Sequence, residues 1–331
     1  MDVRQITMAR KIGSILHGAY GDYYWQATAL KLLVERNPGT QLYLFSADPG
    51  RLPPLRKFDF SFAECFLSWE EMPSTPVDEF LQYQVLDSEL KQDVLDHLPA
   101  ALLAKIDRTR NRIFYDDLRA VLPLPPSQRL RLSDEGRQEV RLAMEQYGIP
   151  ENLFRTRKTV AFVWRYRARG SAVKPIGQPS AESLVDKYSR VFRRLIDDFD
   201  CHVLITGMNP ASQAMDLSRA GPKYAPFGLD LPAERCTYLQ ARNWVADLEI
   251  LSRCTTAAVM ASGISEALDA HRGGGAILLD PPLHYVLMLL KYRVALYNYM
   301  TPRGFARIWS RPHSENRLYR WIAQDLRRAE K

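Results

Sequence analysis

The sequence lacks the long apolar run that a membrane-spanning helix needs. The longest apolar stretch late in the chain, residues 276–290, is broken by Asp280, Pro281, Pro282 and His284, and spanning a bilayer takes about 20 apolar residues. Glycines and an aspartate also interrupt the apolar stretch near the N-terminus, where no small-residue cleavage site follows. We therefore expect a first strand there, not a signal peptide, and a cytoplasmic protein.

Cysteine and the common catalytic motifs are also scarce. Only four cysteines occur in 331 residues, and none stands in a CxxC or Cys/His spacing. A disulfide framework and a zinc site are therefore not predicted. The sequence has no HExxH motif and no Gly-x-Ser-x-Gly elbow, which argues against a metalloprotease and a serine hydrolase. We expect reduced thiols and no metal.

The chain carries an excess of positive charge. Lysines and arginines number 45 and acidic residues 38, a net charge of +7. This charge favours an acidic partner, which is a nucleic acid, an anionic lipid or a phosphorylated small molecule. The sequence shows no helix-turn-helix, RNP or zinc-finger pattern, and its aromatic residues do not alternate with basic ones as a stacking platform requires. Nucleic acid is therefore not a predicted partner.

The apolar periodicity predicts two α/β domains, as the length of 331 residues allows. An apolar run at 11–18, a helical pattern at 23–36 and a β-rich run at 41–46 form a βαβ unit with a parallel sheet. Aromatic and acidic segments then predict helices and loops inserted at about 53–150. A second alternation begins near residue 155. It predicts strands at 159–164, 201–206, 238–244, 256–260 and 275–279, and helices at 182–199, 245–253, 265–271 and within 304–331.

One candidate site is the turn between the first strand and the first helix, Gly18-Ala19-Tyr20-Gly21-Asp22. Backbone N–H groups and the helix dipole favour a negatively charged group there, so Gly21 is a candidate phosphate-binding residue. The spacing lacks the third glycine of a dinucleotide fingerprint. Asp22 is either the N-cap of the helix or a general base at the carboxyl end of the sheet. His17, just before the turn, either assists proton transfer or is a core residue.

A second candidate site follows the strand predicted at 159–164. Arg165, Arg167 and Arg169 alternate along an extended segment, which places them on one side of it. Guanidinium groups suit phosphate oxygens, and Lys174 in the following loop is a further candidate. With no metal predicted, such cations would neutralise a charged leaving group. The alternative is a solvated basic strand end.

The third candidate site is a turn of small residues, Ser262-Gly263, which precedes the helix predicted at 265–271. Its backbone amides can bind a pyrophosphate, and Ser262 or Ser265 can cap the helix. Glu266 is a candidate for gripping the two hydroxyls of a ribose. The alternative is a plain capped helix. Three lone polar residues complete a candidate nucleotide pocket or serve as loop hydrogen-bonders: Asn209, Gln213 and Asn243.

The stretch ILHGAYGDYYWQATALKLLVERNPGTQLYLF resembles the opening of family 9 glycosyltransferases, the lipopolysaccharide heptosyltransferases. Gly21-Asp22 and Asn37-Pro38 stand where that family has a Gly-Asp pair and a proline-containing stop. TVAFVWRYRARG through CHVLITG resembles the start of its donor domain, and LEILSRCTTAAVMASGISEALDA resembles its Ser-Gly helix opening. The arginine cluster is more loosely similar to that of GT-B fucosyltransferases. The resemblance does not cover residues 53–150.

The resemblance implies a GT-B fold, an α/β architecture in which two Rossmann-like domains with parallel sheets face each other across a cleft. It predicts an acceptor-side domain at 1–155 and a nucleotide-sugar domain at 156–303, followed by a closing helix within 304–331. It also implies metal-independent, inverting transfer, with Asp22 as the base and the Ser262-Gly263 amides at the donor phosphates.

Two departures from the family pattern are present, Ala261 where the family has Asp and Glu266 where it has His. We expect a glycosyltransferase that moves a hexosyl or deoxyhexosyl group from a nucleotide sugar to a glycan, a lipid-linked acceptor or a natural product. The nucleotide sugar is a co-substrate, so no cofactor is predicted. Two alternatives stay open: a GT-B-like protein that binds without catalysis, and a sugar-nucleotide epimerase. The basic C-terminal helix leaves open a peripheral contact with the inner face of an anionic membrane.

Overall fold

The computed structural model divides into two compact units. One unit comprises Met1–Gln138 with Tyr299–Pro302, and the other comprises Glu139–Asn298 with Arg303–Lys331. The structure describes residues 11–16, 20–75, 77–80, 130–164, 181–208, 228–239, 243–260, 263–272, 275–279, 307–309 and 314–329.

The first unit contains a parallel sheet of four strands: β1 (Lys11–Leu16), β2 (Gln41–Ser46), β3 (Cys65–Ser68) and β4 (Glu79–Phe80), in the order β3-β2-β1-β4. Helix α1 (Tyr20–Arg36) connects β1 to β2, and the single turn α2 (Leu52–Leu55) follows β2. Five of the six β1 residues are buried. A central parallel strand is covered on both faces, which explains its apolar sequence.

The predicted βαβ unit is present, with two differences. Helix α1 begins at Tyr20, three residues before the predicted start. Strand β3 lies in a stretch that was predicted to hold helices and loops. It was missed because its alternation extends over only four residues. So short a pattern is weak evidence for a strand. Residues 81–129 of the predicted insertion lie outside the described residues.

The second unit contains a parallel sheet of six strands in the order β10-β9-β8-β5-β6-β7. Its strands are β5 (Thr159–Val163), β6 (His202–Thr206), β7 (Cys236–Leu239), β8 (Thr256–Met260), β9 (Ile277–Leu279) and β10 (Arg307–Trp309). The described residues form these further α-helices: α3 (Asp134–Gln146), α4 (Leu153–Thr156), α5 (Ala181–Phe199), α6 (Trp244–Ser252), α7 (Gly263–Arg272) and α8 (Glu315–Arg328). The strand predicted at 238–244 is wrong at its last two residues, because Asn243 caps α6 and Trp244 begins it.

Helices α5 and α8 bury the core of the second unit against one face of its sheet. Phe162 of β5 packs on Phe192 of α5 with ring centroids 4.9 Å apart, and Leu326 of α8 is fully buried in the same cluster. Thr256 of β8 donates a hydrogen bond to Asp325 at 2.6 Å. The predicted C-terminal helix is thus part of this core, and a strand, β10, precedes it.

The described helices and cysteines bear on the expectations about membranes and thiols. None of the helices in the described part of the chain is long and apolar enough to cross a bilayer. All four cysteines are free thiols. Burial raises the pKa of Cys201 and of Cys254 to about 12, so both thiols stay protonated at neutral pH.

His202, at the start of β6, is held neutral by the fold. Burial and the nearby Arg157 and Arg235 lower its pKa to about 4, and its Nε2 lies 2.9 Å from the hydroxyl of Thr237. An unfolded chain protonates histidine near pH 6.5. As the pH falls from about 6.5 to 4, His202 therefore binds a proton in the unfolded state but not in the folded state, which lowers the free energy of unfolding.

We expect the free energy of unfolding to fall by about 2 kcal/mol more in the wild type than in His202→Gln when the pH drops from 7 to 4.5. Glutamine does not titrate, so it removes this one proton-linked loss while leaving every carboxylate in place. Urea unfolding at the two pH values measures the difference. Equal losses in both proteins would show that His202 is not held neutral.

Candidate functional site

The strand order of the second unit creates a crevice at the carboxyl ends of β5 and β8. From β5 the chain proceeds outward to β6 and β7, then returns to β8 on the other side of β5. The two strands pair in parallel, with Val163 opposite Val259. Where the connections of two adjacent parallel strands leave in opposite directions, α/β proteins bind their ligands. Two of the predicted sites, the arginine cluster and the Ser262-Gly263 turn, follow these two strands in the sequence.

The carboxyl end of β5 is packed tightly against its neighbour β6. The backbone N–H of Trp164 donates to the carbonyl of Thr206 at 2.9 Å. Gly207, the next residue after β6, has a φ of +85°, and a Cβ added to it would lie 1.9 Å from the carbonyl oxygen of Trp164. Only glycine fits such an approach. The Trp164 side chain is buried, and its indole N–H has no hydrogen-bond partner among the described residues.

Helix α7 begins at Gly263, three residues after the end of β8. The first backbone N–H groups of a helix have no partner within it and favour an anion. Ser265 is fully buried, and its hydroxyl donates to the carbonyl of Met260. This contact ties the start of α7 to the end of β8, a role that the phosphate-binding prediction for Ser265 did not foresee.

Asn243 precedes α6 and caps it. Its side-chain oxygen accepts a hydrogen bond from the N–H of Ala246 at 3.1 Å. The capping role is one that asparagine commonly performs. Asn243 was predicted to line a nucleotide pocket, and the structure gives its side-chain oxygen this local partner at the carboxyl side of β7.

In the first unit the corresponding crevice lies between β1 and β4, which flank each other at the point where the strand order reverses. Helix α1 starts after β1 and carries Gly21 and Asp22 as its second and third residues. The prediction of Asp22 as the N-cap is therefore wrong, because the helix begins two residues before it. An acidic residue in the first turn complements the helix dipole.

Several predicted site residues lie outside the described residues, as do the side chains of Asp22 and Glu266. These residues are His17, Arg165, Arg167, Lys174, Asn209, Gln213 and Ser262. Their roles stay predictions. Within the described part of the chain, no group of three or more His, Cys, Asp or Glu side chains is placed to hold a metal ion.

The sequence analysis missed a polar cluster at the carboxyl end of β2. The Tyr23 hydroxyl lies 3.0 Å from the Oγ of Ser46 and accepts a hydrogen bond from the N–H of Asp48 at 3.1 Å. Burial raises the pKa of Tyr23 above its ordinary value, although its hydrogen bonds and Arg51 act in the opposite direction. The Arg51 guanidinium lies 5.1 Å from the centre of the Tyr20 ring and 5.6 Å from that of Tyr23. No local motif in the sequence signals this cluster, because its members come from α1 and from the segment 46–51, which lie apart in the sequence.

No family model matches the chain, and no curated protein matches its sequence. Solved structures match it over nearly its whole length. The glycosyl transferase family 9 protein from Veillonella parvula DSM 2008 has a TM-score of 0.52 and 13% identity, over 96% of this chain and 97% of that chain. E. coli heptosyltransferase WaaC with ADP has a TM-score of 0.52 and 10% identity, over 95% of this chain and 99% of that chain.

These two matches establish the fold. The chain has the α/β, GT-B type of architecture, with two Rossmann-like parallel sheets. The predicted resemblance to family 9 transferases is confirmed at this level. At identities of 10% and 13% the likeness extends to the fold and not to the activity. The match to an Arabidopsis thaliana FUT1 mutant with GDP, at a TM-score of 0.43 and 10% identity over 85% of this chain and 74% of that chain, is too distant to support an argument.

We expect Gly207→Ala to destabilise the protein more than Gly275→Ala. Both glycines have a positive φ, +85° and +94°, but only at Gly207 would the new Cβ meet the backbone. The left-handed conformation alone costs about 1–2 kcal/mol, and the collision at Gly207 should add about 1–3 kcal/mol. Urea unfolding of the two variants measures the difference. Equal destabilisation would contradict the close approach of Trp164 and Gly207.

Proposed function

We propose that this protein is an inverting glycosyltransferase that moves a sugar from a nucleotide-sugar donor to an acceptor hydroxyl. The observation that carries the proposal is that the candidate residues follow, in the sequence, the strands at which the order of each sheet reverses. The arginine cluster and the Ser262-Gly263 turn follow β5 and β8, the pair of strands at which the order of the second sheet reverses. Asp22 lies in the helix that follows β1, the equivalent strand of the first sheet.

In the proposed reaction, Asp22 accepts the proton of the acceptor hydroxyl as its oxygen attacks the anomeric carbon of the donor. The new glycosidic bond forms while the bond from that carbon to the diphosphate oxygen breaks, and the electron pair leaves with the nucleoside diphosphate. Asp22 is the candidate for this role because it stands in the first turn of the helix that follows β1, and α/β sheets bind ligands at the carboxyl ends of their strands.

The departing diphosphate gains negative charge, which needs stabilisation. Arg165 and Arg167, with Lys174, supply cations, and the first N–H groups of α7, beginning at Gly263, supply hydrogen-bond donors. In a site that excludes water, such groups lower the activation free energy by several kcal/mol. The proposed reaction therefore uses side chains and backbone amides where other transferases use a metal ion.

The nucleoside would be recognised further along the same edge of the second sheet. Glu266 in the first turn of α7 is the candidate for the ribose hydroxyls. Asn209, Gln213 and Asn243 are candidates for polar contacts, and the Asn243 side chain would contribute its amide N–H groups, since its oxygen caps α6. The acceptor is a glycan, a lipid-linked glycan or a natural product, and a cytoplasmic protein touching the inner face of a membrane fits this reaction.

Screening donors is the experiment that tests the proposal. We expect one of the UDP-, GDP-, ADP-, CMP- or dTDP-sugars to raise the thermal midpoint of the protein and to be slowly hydrolysed, with nucleotide released at the same rate in EDTA. A shift without nucleotide release would favour a binding protein. Interconversion of free sugar nucleotides would favour an epimerase, and the absence of any shift would contradict a donor site.

Asp22→Asn should separate binding from catalysis. The amide keeps the size of the carboxylate but cannot accept the acceptor proton, so we expect turnover to fall by about 10²–10⁴-fold, the usual contribution of a general base. Donor affinity, measured by titration of the thermal shift, should stay unchanged. Glu35→Gln, near the other end of α1, is the matched control for a lost carboxylate. Wild-type turnover in Asp22→Asn would remove Asp22 from the role of base.

A further inference from the structure

The polar cluster at the end of β2 is a closed set of hydrogen bonds whose directions can be assigned. The Ser46 hydroxyl donates to the carbonyl of Asp48 at 2.6 Å. Its single proton is thereby used, so in the 3.0 Å contact between the two hydroxyls Tyr23 is the donor and Ser46 the acceptor. The N–H of Asp48 completes the ring by donating to the Tyr23 oxygen at 3.1 Å.

The carboxylate of Asp48 extends the cluster to the residues that follow. One oxygen accepts the N–H of Gly50 at 3.0 Å and caps the short 3-10 helix Pro49–Arg51. The other accepts the Nε–H of Arg51 at 2.9 Å. The guanidinium so held lies over the rings of Tyr20 and Tyr23. A planar cation over aromatic rings contributes attraction beyond its ion pair.

These contacts act on the first turn of α1. Its leading N–H groups have no partner within the helix, and helix ends fray when nothing holds them. Tyr20 is the first residue of the helix and Tyr23 the fourth, so the segment 46–51 holds both ends of the turn that contains Asp22. The Tyr23 side chain is 1% exposed, which shields its hydroxyl from competing water.

We propose that Tyr23 is a positioning residue, and that its hydrogen bonds to Ser46 and Asp48 hold the first turn of α1 so that Asp22 reaches the acceptor hydroxyl. We call Tyr23, Ser46, Asp48 and Arg51 the Tyr23 clamp. The inference rests on the proposed function, in which Asp22 is the base. Misplacing a catalytic group by about 1 Å can cost about 10²-fold in rate, so a clamp one residue from the base affects turnover without touching the substrate.

The test removes the hydroxyl and keeps the ring. In Tyr23→Phe we expect turnover to fall about 10-fold or more, within the range for misplaced catalytic groups, while donor KM and the pH at which activity is half-maximal stay unchanged. Thr28→Val is the matched control, since it deletes another buried hydroxyl of α1, one that donates to the Tyr24 carbonyl at 2.8 Å. It should lower stability and leave turnover unchanged. Equal losses of turnover in the two variants would reduce Tyr23 to a stabilising residue and overturn the proposal.

A second pair of variants, at Ser46, tests the same hydrogen bond if Tyr23→Phe fails to fold. Ser46→Ala removes the acceptor of the Tyr23 hydroxyl and should reproduce the loss of turnover. Ser46→Thr keeps a hydroxyl at this position and should keep turnover at the wild-type level. Combined with Tyr23→Phe, Ser46→Ala should lower turnover by less than the product of the two single effects, because the Tyr23–Ser46 hydrogen bond can be lost only once. Full additivity, or normal turnover in Ser46→Ala, would contradict the clamp.

Amide hydrogen exchange gives a readout that does not depend on the reaction. We expect the amides of residues 24–27, which donate to the carbonyls of residues 20–23 in the helix, to exchange at least 10-fold faster in Tyr23→Phe and Ser46→Ala, and at the wild-type rate in Thr28→Val. Unchanged exchange in the first two variants would overturn the clamp. If exchange rises as expected but Asp22→Asn is fully active, the proposed function fails and the clamp remains only a fixture of the fold. If Asp22→Asn is inactive and Tyr23→Phe is normal, the positioning role fails alone.

Discussion

Every pair of neighbouring strands in the described sheets is parallel, and most of the arrangement follows from this constraint. A parallel pair cannot be joined by a tight turn, so the chain must cross from one end of the sheet to the other, usually through a helix. Crossover helices cover both faces of a parallel sheet, so its central strands are largely apolar: five of six residues are buried in β1, and every residue is buried in β5 and β8. All helices that follow strands then start at the same carboxyl edge. Chemistry collects there because the topology brings the helix starts and loops of each sheet together.

The two edges of the second sheet are built differently. At the amino edge, side chains form hydrogen bonds with backbone groups. Arg272 donates to the carbonyls of Ser252 and Thr255 at 3.1 Å each and also to that of Cys254. Thr159 and Thr255 exchange reciprocal side-chain and backbone hydrogen bonds at 3.1 Å. Such contacts satisfy buried groups and fix the ends of β5 and β8. The carboxyl ends of the same strands lead, in the sequence, into the segments that carry the candidate donor residues.

The sequence was sufficient to predict what depends on periodicity. Strands at 41–46 and 256–260 match the observed β2 and β8 at both ends, and α5 begins one residue from its predicted start. What escaped prediction depends on distant pairing. Strand β3 is short and is defined by its neighbour β2, and Gly207 is required by the approach of Trp164, which lies 43 residues earlier in the sequence. The N-cap alternative for Asp22 is wrong because a helix start is set by geometry, and α1 includes a glycine at its second position.

The two departures from the family 9 pattern bear on which donor the proposed site would bind. In the proposed site, the family pattern of an Asp before Ser-Gly and a His after it becomes Ala261 before the turn and Glu266 after it. Glu266 is the fourth residue of α7, where an acidic side chain favours the helix dipole but repels a phosphate held at the same end. A carboxylate there is therefore compatible with a diphosphate only if it turns to a neutral diol such as ribose and the charge is met elsewhere. Under the proposed function, Arg165 and Arg167, which follow β5 in the sequence, would then meet the diphosphate charge that Glu266 opposes.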